Sequence, residues 1–236
     1  MNTITRAKTL EEFFHYNEIE PNDTGIYMTA LTHSSKNFKN SKLENYERLE
    51  FLGDAIIQFL TSAYIFKRYH FLTQGQATNL RAKAVCTETF SNISQAIGLP
   101  RLIKTSNGQA ESDAKSSPKV QADIFESITG AIYLDLGLNK AKDFVAKYVF
   151  SIIDDIHAKN NKDVKTQLQE HFQTFSREHI KYITELLPNK MFLSKVMHDK
   201  QIFGTGQGLS KKEAEFNAAT DALKKLKTIG EDNEIN

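Results

Sequence analysis

The sequence predicts a mainly α N-terminal domain followed by a small α+β domain in the order α-β-β-β-α. Three observations predict this. At 236 residues the chain exceeds one average domain and suits two unequal ones. Apolar residues keep a helical period through about the first 155 positions and alternate like strands between Ile180 and Phe203. A polar run from His157 to Asp163 separates the two patterns and reads as a linker. The expected division is residues 1–156, a linker at 157–162, a second domain at 163–228 and a tail at 229–236.

In the N-terminal half, helical spacing joins Leu10 with Phe13 and Phe14, then Leu49, Leu52, Ile56, Phe59 and Leu60, then Phe144, Val145, Tyr148 and Ile152. Gly75, Gly98-Leu99-Pro100 and Asn107-Gly108 punctuate these segments, and Gly137 closes another. The stretch Thr105 to Lys119, rich in Ser, Gly, Asp and Lys, reads as a mobile loop. Beyond the linker, Leu168, Phe172 and Phe175 predict a helix. Ile180–Leu186, Phe192–Val196 and Gln201–Phe203 predict strands. Gly204 to Gly208 reads as a turn. Ser210 opens a last helix with Ala214, Ala218, Ala219, Ala222, Leu223 and Leu226 inside. Gly230 to Asn236 reads as a loose tail.

A hydrophobic fraction of 40% with 25% charged residues excludes global disorder. A formal charge of +1 gives no global footprint for nucleic acid, so any such footprint is local. The single Cys86 excludes an internal disulfide and fits a reducing compartment. Met1–Leu10 has no apolar run, and no stretch approaches the roughly 18 apolar residues of a membrane span. The expectation is a soluble, cytoplasmic protein without a membrane partner.

Glu47, Glu50 and Asp54 lie at i, i+3 and i+7, on one helix face about 60° wide. Leu49, Phe51, Leu52, Ala55, Ile56 and Ile57 occupy nearly every other direction, which marks a buried helix. A second helix repeats the pattern with Asp123 and Glu126 among Ala122, Ile124, Phe125 and Ile128, and small Gly130 and Ala131 permit close approach. If the acidic faces meet, Glu50, Asp54, Asp123 and Glu126 place four negative charges together. Two divalent cations would neutralise them, and all-oxygen donors suit Mg²⁺ or Mn²⁺ rather than zinc. Two such ions, roughly 3.5–4 Å apart, serve in-line phosphodiester cleavage. Spacing alone leaves open that these are ordinary exposed acids making helix surface pairs.

Glu47-Arg-Leu-Glu-Phe-Leu-Gly-Asp54 closely resembles the signature of ribonuclease III, the double-stranded-RNA endonuclease family. Ala30-Leu-Thr-His-Ser-Ser35, Leu80-Arg-Ala82, Ala122-Asp-Ile-Phe-Glu126 and Gly130-Ala-Ile-Tyr-Leu-Asp135 match around it. The resemblance runs from about Leu10 to Leu226. It implies a Mg²⁺-dependent endoribonuclease, with Mn²⁺ as a substitute and no organic cofactor, leaving 5′-phosphate and 3′-hydroxyl ends. Glu50, Asp123 and Glu126 are the implied metal ligands, Asp54 with Glu126 the implied catalytic pair, and Glu47 an outer-shell or RNA-facing acid. A homodimer is implied, with Phe51 and Leu52 at its interface, acting on ribosomal-RNA precursors and messenger-RNA duplexes. Gln74 departs from the family, which often carries Glu there.

The C-terminal segment around Gly206-Gln-Gly-Leu-Ser-Lys-Lys212 resembles a double-stranded-RNA-binding domain. Ser210 can cap a helix whose amides favour an anion, and Lys211 and Lys212 add ammonium groups for phosphates. Gln169 and Gln173 match family positions that reach the minor groove of A-form RNA. Residues 163–227 hold eleven basic and eight acidic side chains, a net +3. The loop Leu186 to Phe192 is shorter than the family's and lacks its His. His33 reads as structural, Cys86 as a buried small hydrophobe, and Phe38 as a position that could touch substrate. The competing class is a dimer that binds duplex RNA without cutting it; a nuclease for duplex DNA is a third.

Overall fold

The computed structural model describes residues 6–37, 45–70, 72–174, 176 and 178–233, and it divides into two compact units between Asp154 and Asp155. In the first unit, Thr9 caps α1 (Leu10–Tyr16) by accepting from the Glu12 amide, and Asp23 caps α2 (Thr24–Ala30) by accepting from Gly25. A reciprocal Thr73–Gln76 capping box opens α4 (Gln74–Ala84), which follows α3 (Glu47–Arg68). Gly98, left-handed at φ +91°, ends α5 (Thr87–Ile97). Short α6 (Leu99–Leu102), α7 (Gln109–Ser116) and long α8 (Pro118–Val145) follow. A π-helical turn, Ala146–Phe150, leads into α9 (Ser151–Gln173).

The core of this unit is the crossing of α3 on α8. Leu49, Ile56, Ile57 and Leu60 are buried from one side, Phe125, Ile128 and Ile132 from the other. Two glycines make the crossing close. A Cβ on Gly53 would overlap the Glu126 carbonyl, and one on Gly130 would overlap the Leu49 carbonyl. The sequence expects a close approach at Gly130 and overlooks Gly53. Helix α3 is by composition long and apolar enough to cross a membrane, contrary to expectation. Its carboxylates and its packing on α8 make it a core helix.

Three segments differ from expectation. The loop expected at Thr105–Lys119 contains all of α7 and the start of α8. Ala114 is buried there, Lys115 pairs with Glu111 at 2.6 Å, and Ser117 caps α8 by accepting from the Val120 amide. The polar run expected as a linker lies inside α9, because Ser151 to Gln173 contains neither Gly nor Pro to interrupt a helix. The expected tail is helical as far as Asn233, and residues 234–236 fall outside the described residues, as do Phe38 and Phe175. Gly137, at φ +81°, does interrupt the helical path of α8 where a helix was expected to close.

In the second unit β1 (Lys181–Leu186), β2 (Phe192–His198) and β3 (Gln201–Gly208) form an antiparallel sheet in sequence order. Period-2 burial holds on β2, where Ser194, Val196 and His198 face inward. The last helix, α10 (Lys211–Asn233), packs Ala218, Ala219 and Ala222 with Leu168, Phe172 and Val196 in one core. The Gly204–Gly208 run is strand rather than turn. Cβ atoms at Gly204, Gly206 or Gly208 would collide with α10 at Ala218, Asn217 and Glu213 respectively, so glycine is what lets the helix lie on β3.

Candidate functional site

Close crossing of α3 and α8 brings the two acidic faces together. One carboxylate oxygen each from Glu50, Asp123 and Glu126 lie within 4.8 Å of one another. Asp123 is buried at 6% exposure, while Glu50 and Glu126 are half-buried. Like charges in poor solvent favour protonation. Burial, then Asp54, Asp123 and Glu50, push the Glu126 carboxyl up to about 8. Glu50 is raised by burial first and then by Asp123. Asp54 thus acts on this centre through its charge, and its Oδ1 accepts from the Gln58 amide at 3.3 Å. Glu47, exposed at the start of α3, lies further out, and its charge still reaches Glu50.

Two groups that the sequence pattern does not single out contact Asp123. Its Oδ2 accepts from Lys119 Nζ at 2.7 Å and from the Tyr46 hydroxyl at 3.3 Å. Burial, followed by the charges of Asp123 and Glu50, raises the Tyr46 phenol, so it stays a donor. His33 stacks on Tyr46 with centroids 5.7 Å apart and shares a hydrogen bond with Ser35 through Nδ1. Burial lowers its pKa against the opposing pull of Glu47 and Asp123. His33 thus packs on the Tyr46 ring beside the site. The spacing i, i+4 from Lys119 to Asp123 is the signal in the sequence that could have found the lysine.

Among the described residues the donor set is oxygen only, and the three clustered carboxylates are offset by the Lys119 contact. A hard divalent cation fits it by charge and by ligand type. Gln74, the first residue of α4, donates to the Thr78 hydroxyl at 3.3 Å and lines a groove with Phe59 and Phe66. Cys86 is half-buried at the start of α5, its thiol bonded to the Lys83 carbonyl, rather than sunk in the core.

In the second unit, Ser210 Oγ accepts from the Glu213 amide at 3.2 Å, and Glu213 reaches back to Leu209, so the start of α10 is closed on both sides. Lys211 and Lys212 stand exposed in that first turn. Gln173 is exposed, whereas Gln169 is half-buried and spends its carbonyl on the Ile180 amide at 3.3 Å. The β1–β2 loop is tight: Leu187 and Met191 close it at 2.7 Å, with Lys190 left-handed at φ +64°.

The family description "Ribonuclease-III-like" matches residues 23–153, and "Double-stranded RNA binding motif" matches residues 164–226. The chain belongs to the ribonuclease III family. It is 42% identical over 220 residues to Ribonuclease 3 of Mycoplasmopsis synoviae, covering 93% of this chain and 95% of that one. It is 38% identical over 231 residues to Ribonuclease 3 of Mycoplasma mobile, covering 96% and 93%. A solved nuclease domain of ribonuclease III from Campylobacter jejuni superposes with TM-score 0.56 at 30% identity, covering 60% of this chain and 96% of that one. As a ribonuclease III, the chain is an endoribonuclease with a nuclease domain and a double-stranded-RNA-binding domain. The acidic cluster falls inside the nuclease match, and Ser210, Lys211 and Lys212 fall inside the RNA-binding match.

Proposed function

We propose that this endoribonuclease hydrolyses phosphodiester bonds in double-stranded RNA with Mg²⁺ held by Glu50, Asp123 and Glu126, leaving 5′-phosphate and 3′-hydroxyl ends. The reading rests above all on three carboxylate oxygens gathered within 4.8 Å on a half-buried helix crossing. A divalent ion, when bound, supplies positive charge for the phosphoryl and leaving oxygens and favours ionisation of water. Burial and its acidic neighbours hold the Glu126 carboxyl up at about 8, so it would have to give up a proton to serve as a ligand at neutral pH. Asp54 and Glu126 form the catalytic pair, with Asp54 oriented by Gln58. Glu47 stands outside them, towards the RNA or the outer shell. Mn²⁺ substitutes for Mg²⁺.

The nuclease domain spans residues 1–156 and the RNA-binding domain 163–228, the latter gripping A-form backbone through Ser210, Lys211, Lys212, Gln173 and Gln169. One cluster cuts one strand, so both strands require a homodimer. Phe51, 80% exposed, supports this, with Leu52 and Leu134 lining a cleft of about 890 Å³ beside it. The substrates proposed are ribosomal-RNA precursors and messenger-RNA duplexes in the cytoplasm. Gel cleavage of a labelled RNA hairpin with Mg²⁺, with Ca²⁺ and with Glu126→Gln tests the reading. Mg²⁺-dependent cutting that the variant loses while still binding RNA is expected. Binding without cutting in Mg²⁺ or Mn²⁺ leaves a non-cleaving double-stranded-RNA-binding dimer.

A further inference from the structure

Lys119 is the second residue of α8, after Pro118. A positive charge in a helix's first turn opposes the macrodipole, which favours Asp or Glu there. Its i, i+4 pair with Asp123 also runs in the weaker order, cation before anion along the chain. Helix stability therefore gives no reason for a lysine at this position. Its Nζ nevertheless lies 2.7 Å from Asp123, and the pair is lopsided: the Asp123 side chain is 9% exposed and that of Lys119 is 74% exposed. An ammonium on a flexible, solvated stem can leave the carboxylate without disturbing any packing. Asp123 would still keep Tyr46 as a donor.

We propose that Lys119 has two stations: on Asp123 while the acidic cluster holds no metal, and on a phosphate of the strand being cut once metal and RNA are bound. This rests on the metal reading given above. In the first station the ammonium offsets part of the repulsion among Glu50, Asp123 and Glu126. Released from Asp123, it remains at the rim of the cluster, where the substrate brings its phosphodiester oxygens. A compact charge with three donors suits those oxygens. Lys119 is thus both a competitor of the metal and a substrate-binding residue.

The test uses the full chain carrying Lys119→Met or Lys119→Arg. Mn²⁺ binding is measured by calorimetry without RNA, and single-turnover cleavage of a labelled hairpin is measured at saturating Mg²⁺. With the competing charge gone, Lys119→Met is expected to bind Mn²⁺ roughly three- to tenfold more tightly and to cleave at least about tenfold more slowly. Lys119→Arg keeps the charge and is expected to hold the wild-type Mn²⁺ affinity within about twofold and to restore most of the rate. Unchanged Mn²⁺ affinity, an unchanged rate, or failure of Arg to rescue overturns the proposal. A thermal melt checks folding, and Lys119→Gln is read instead if the Met variant does not fold. No Mn²⁺ binding by the wild type would overturn the metal reading itself, and this proposal with it.

Discussion

In the first unit Gly53 and Gly130 let α3 and α8 touch backbone to backbone, and in the second Gly204, Gly206 and Gly208 do the same for β3 and α10. The consequences differ. The α3–α8 crossing gathers Glu50, Asp123 and Glu126 where water is scarce, so the same contact that builds the core concentrates like charge. The β3–α10 contact packs alanines against glycine backbone and, among the described residues, gathers no cluster of like charge, with Asn217 donating to the Gln207 carbonyl, and Lys211 and Lys212 stay in solvent at the helix start. On the proposed reading, chemistry in the first unit is therefore in conflict with stability, while binding in the second is independent of it. Substitutions in either unit can put that contrast at risk.

The largest effect is expected at Glu126. Replacing it with Gln removes a proposed ligand and one of the proposed catalytic pair, a loss of several kcal/mol in the transition state on that reading. Cleavage should fall by about 10³-fold at saturating Mg²⁺. Gln sits there uncharged without the proton that Glu126 must take up on folding, so the metal-free variant should melt above the wild type at neutral pH. Hairpin kinetics and thermal melting in EDTA measure the two together; a variant that is slower and also less stable would remove the conflict.

Glycine changes come next. Gly53→Ala forces α3 off α8 and should destabilise the first unit by about 3 kcal/mol, weakening Mn²⁺ binding with it. Gly206→Ala should unfold the second unit by a similar margin and abolish tight duplex binding, yet leave Mn²⁺ binding intact. Urea unfolding followed beside Mn²⁺ calorimetry distinguishes the two; loss of Mn²⁺ binding in Gly206→Ala would contradict the separation.

A pH profile follows. The Glu126 carboxyl rises from the ordinary 4.5 to about 8 through burial first and its acidic neighbours second. The folded, metal-free chain therefore binds this proton more tightly than the unfolded chain does. That contribution is whole below a pH of about 4.5 and is lost as pH rises through about 8. Melting temperature in EDTA should decline across this window, less so in Glu126→Gln, and excess Mg²⁺ should flatten the decline. A profile in EDTA that rises, or one identical in the variant, would speak against Glu126 as the group responsible.

The acids are legible in the sequence because helical spacing is a local property: Glu47, Glu50 and Asp54 on one face, Asp123 and Glu126 on another, and small Gly130 marking the approach. What escapes is what a distant partner decides. Gly53 passes unnoticed inside a helical pattern until the Glu126 carbonyl is placed against it. Gly204 to Gly208 carries turn residues, and only the helix lying over it makes extended backbone the better state. Lys119 reads as the polar end of a loop, since neither the helix around Ala114 nor the pair with Asp123 shows in composition. Gln169 points to RNA by position alone, while the Ile180 amide eleven residues on claims its carbonyl.

The smallest effect belongs to the exposed lysines, and it tests the second half of the contrast. Lys211 and Lys212 stand in the first turn of α10, where a capped helix start already presents amides to an anion. Neither side chain contributes to the core, so Lys211→Ala with Lys212→Ala should leave folding within about 0.5 kcal/mol of the wild type. Withdrawing one ammonium from a phosphate lowers the salt dependence of binding by about one unit in the log–log slope. Filter binding of an RNA duplex between low and physiological salt should therefore show a slope shallower by about two. Cleavage at saturating RNA should be unchanged, because the chemistry belongs to the other unit. A fall in that saturated rate would mean that α10 also places the duplex against the acidic cluster, and binding and chemistry would no longer be separable.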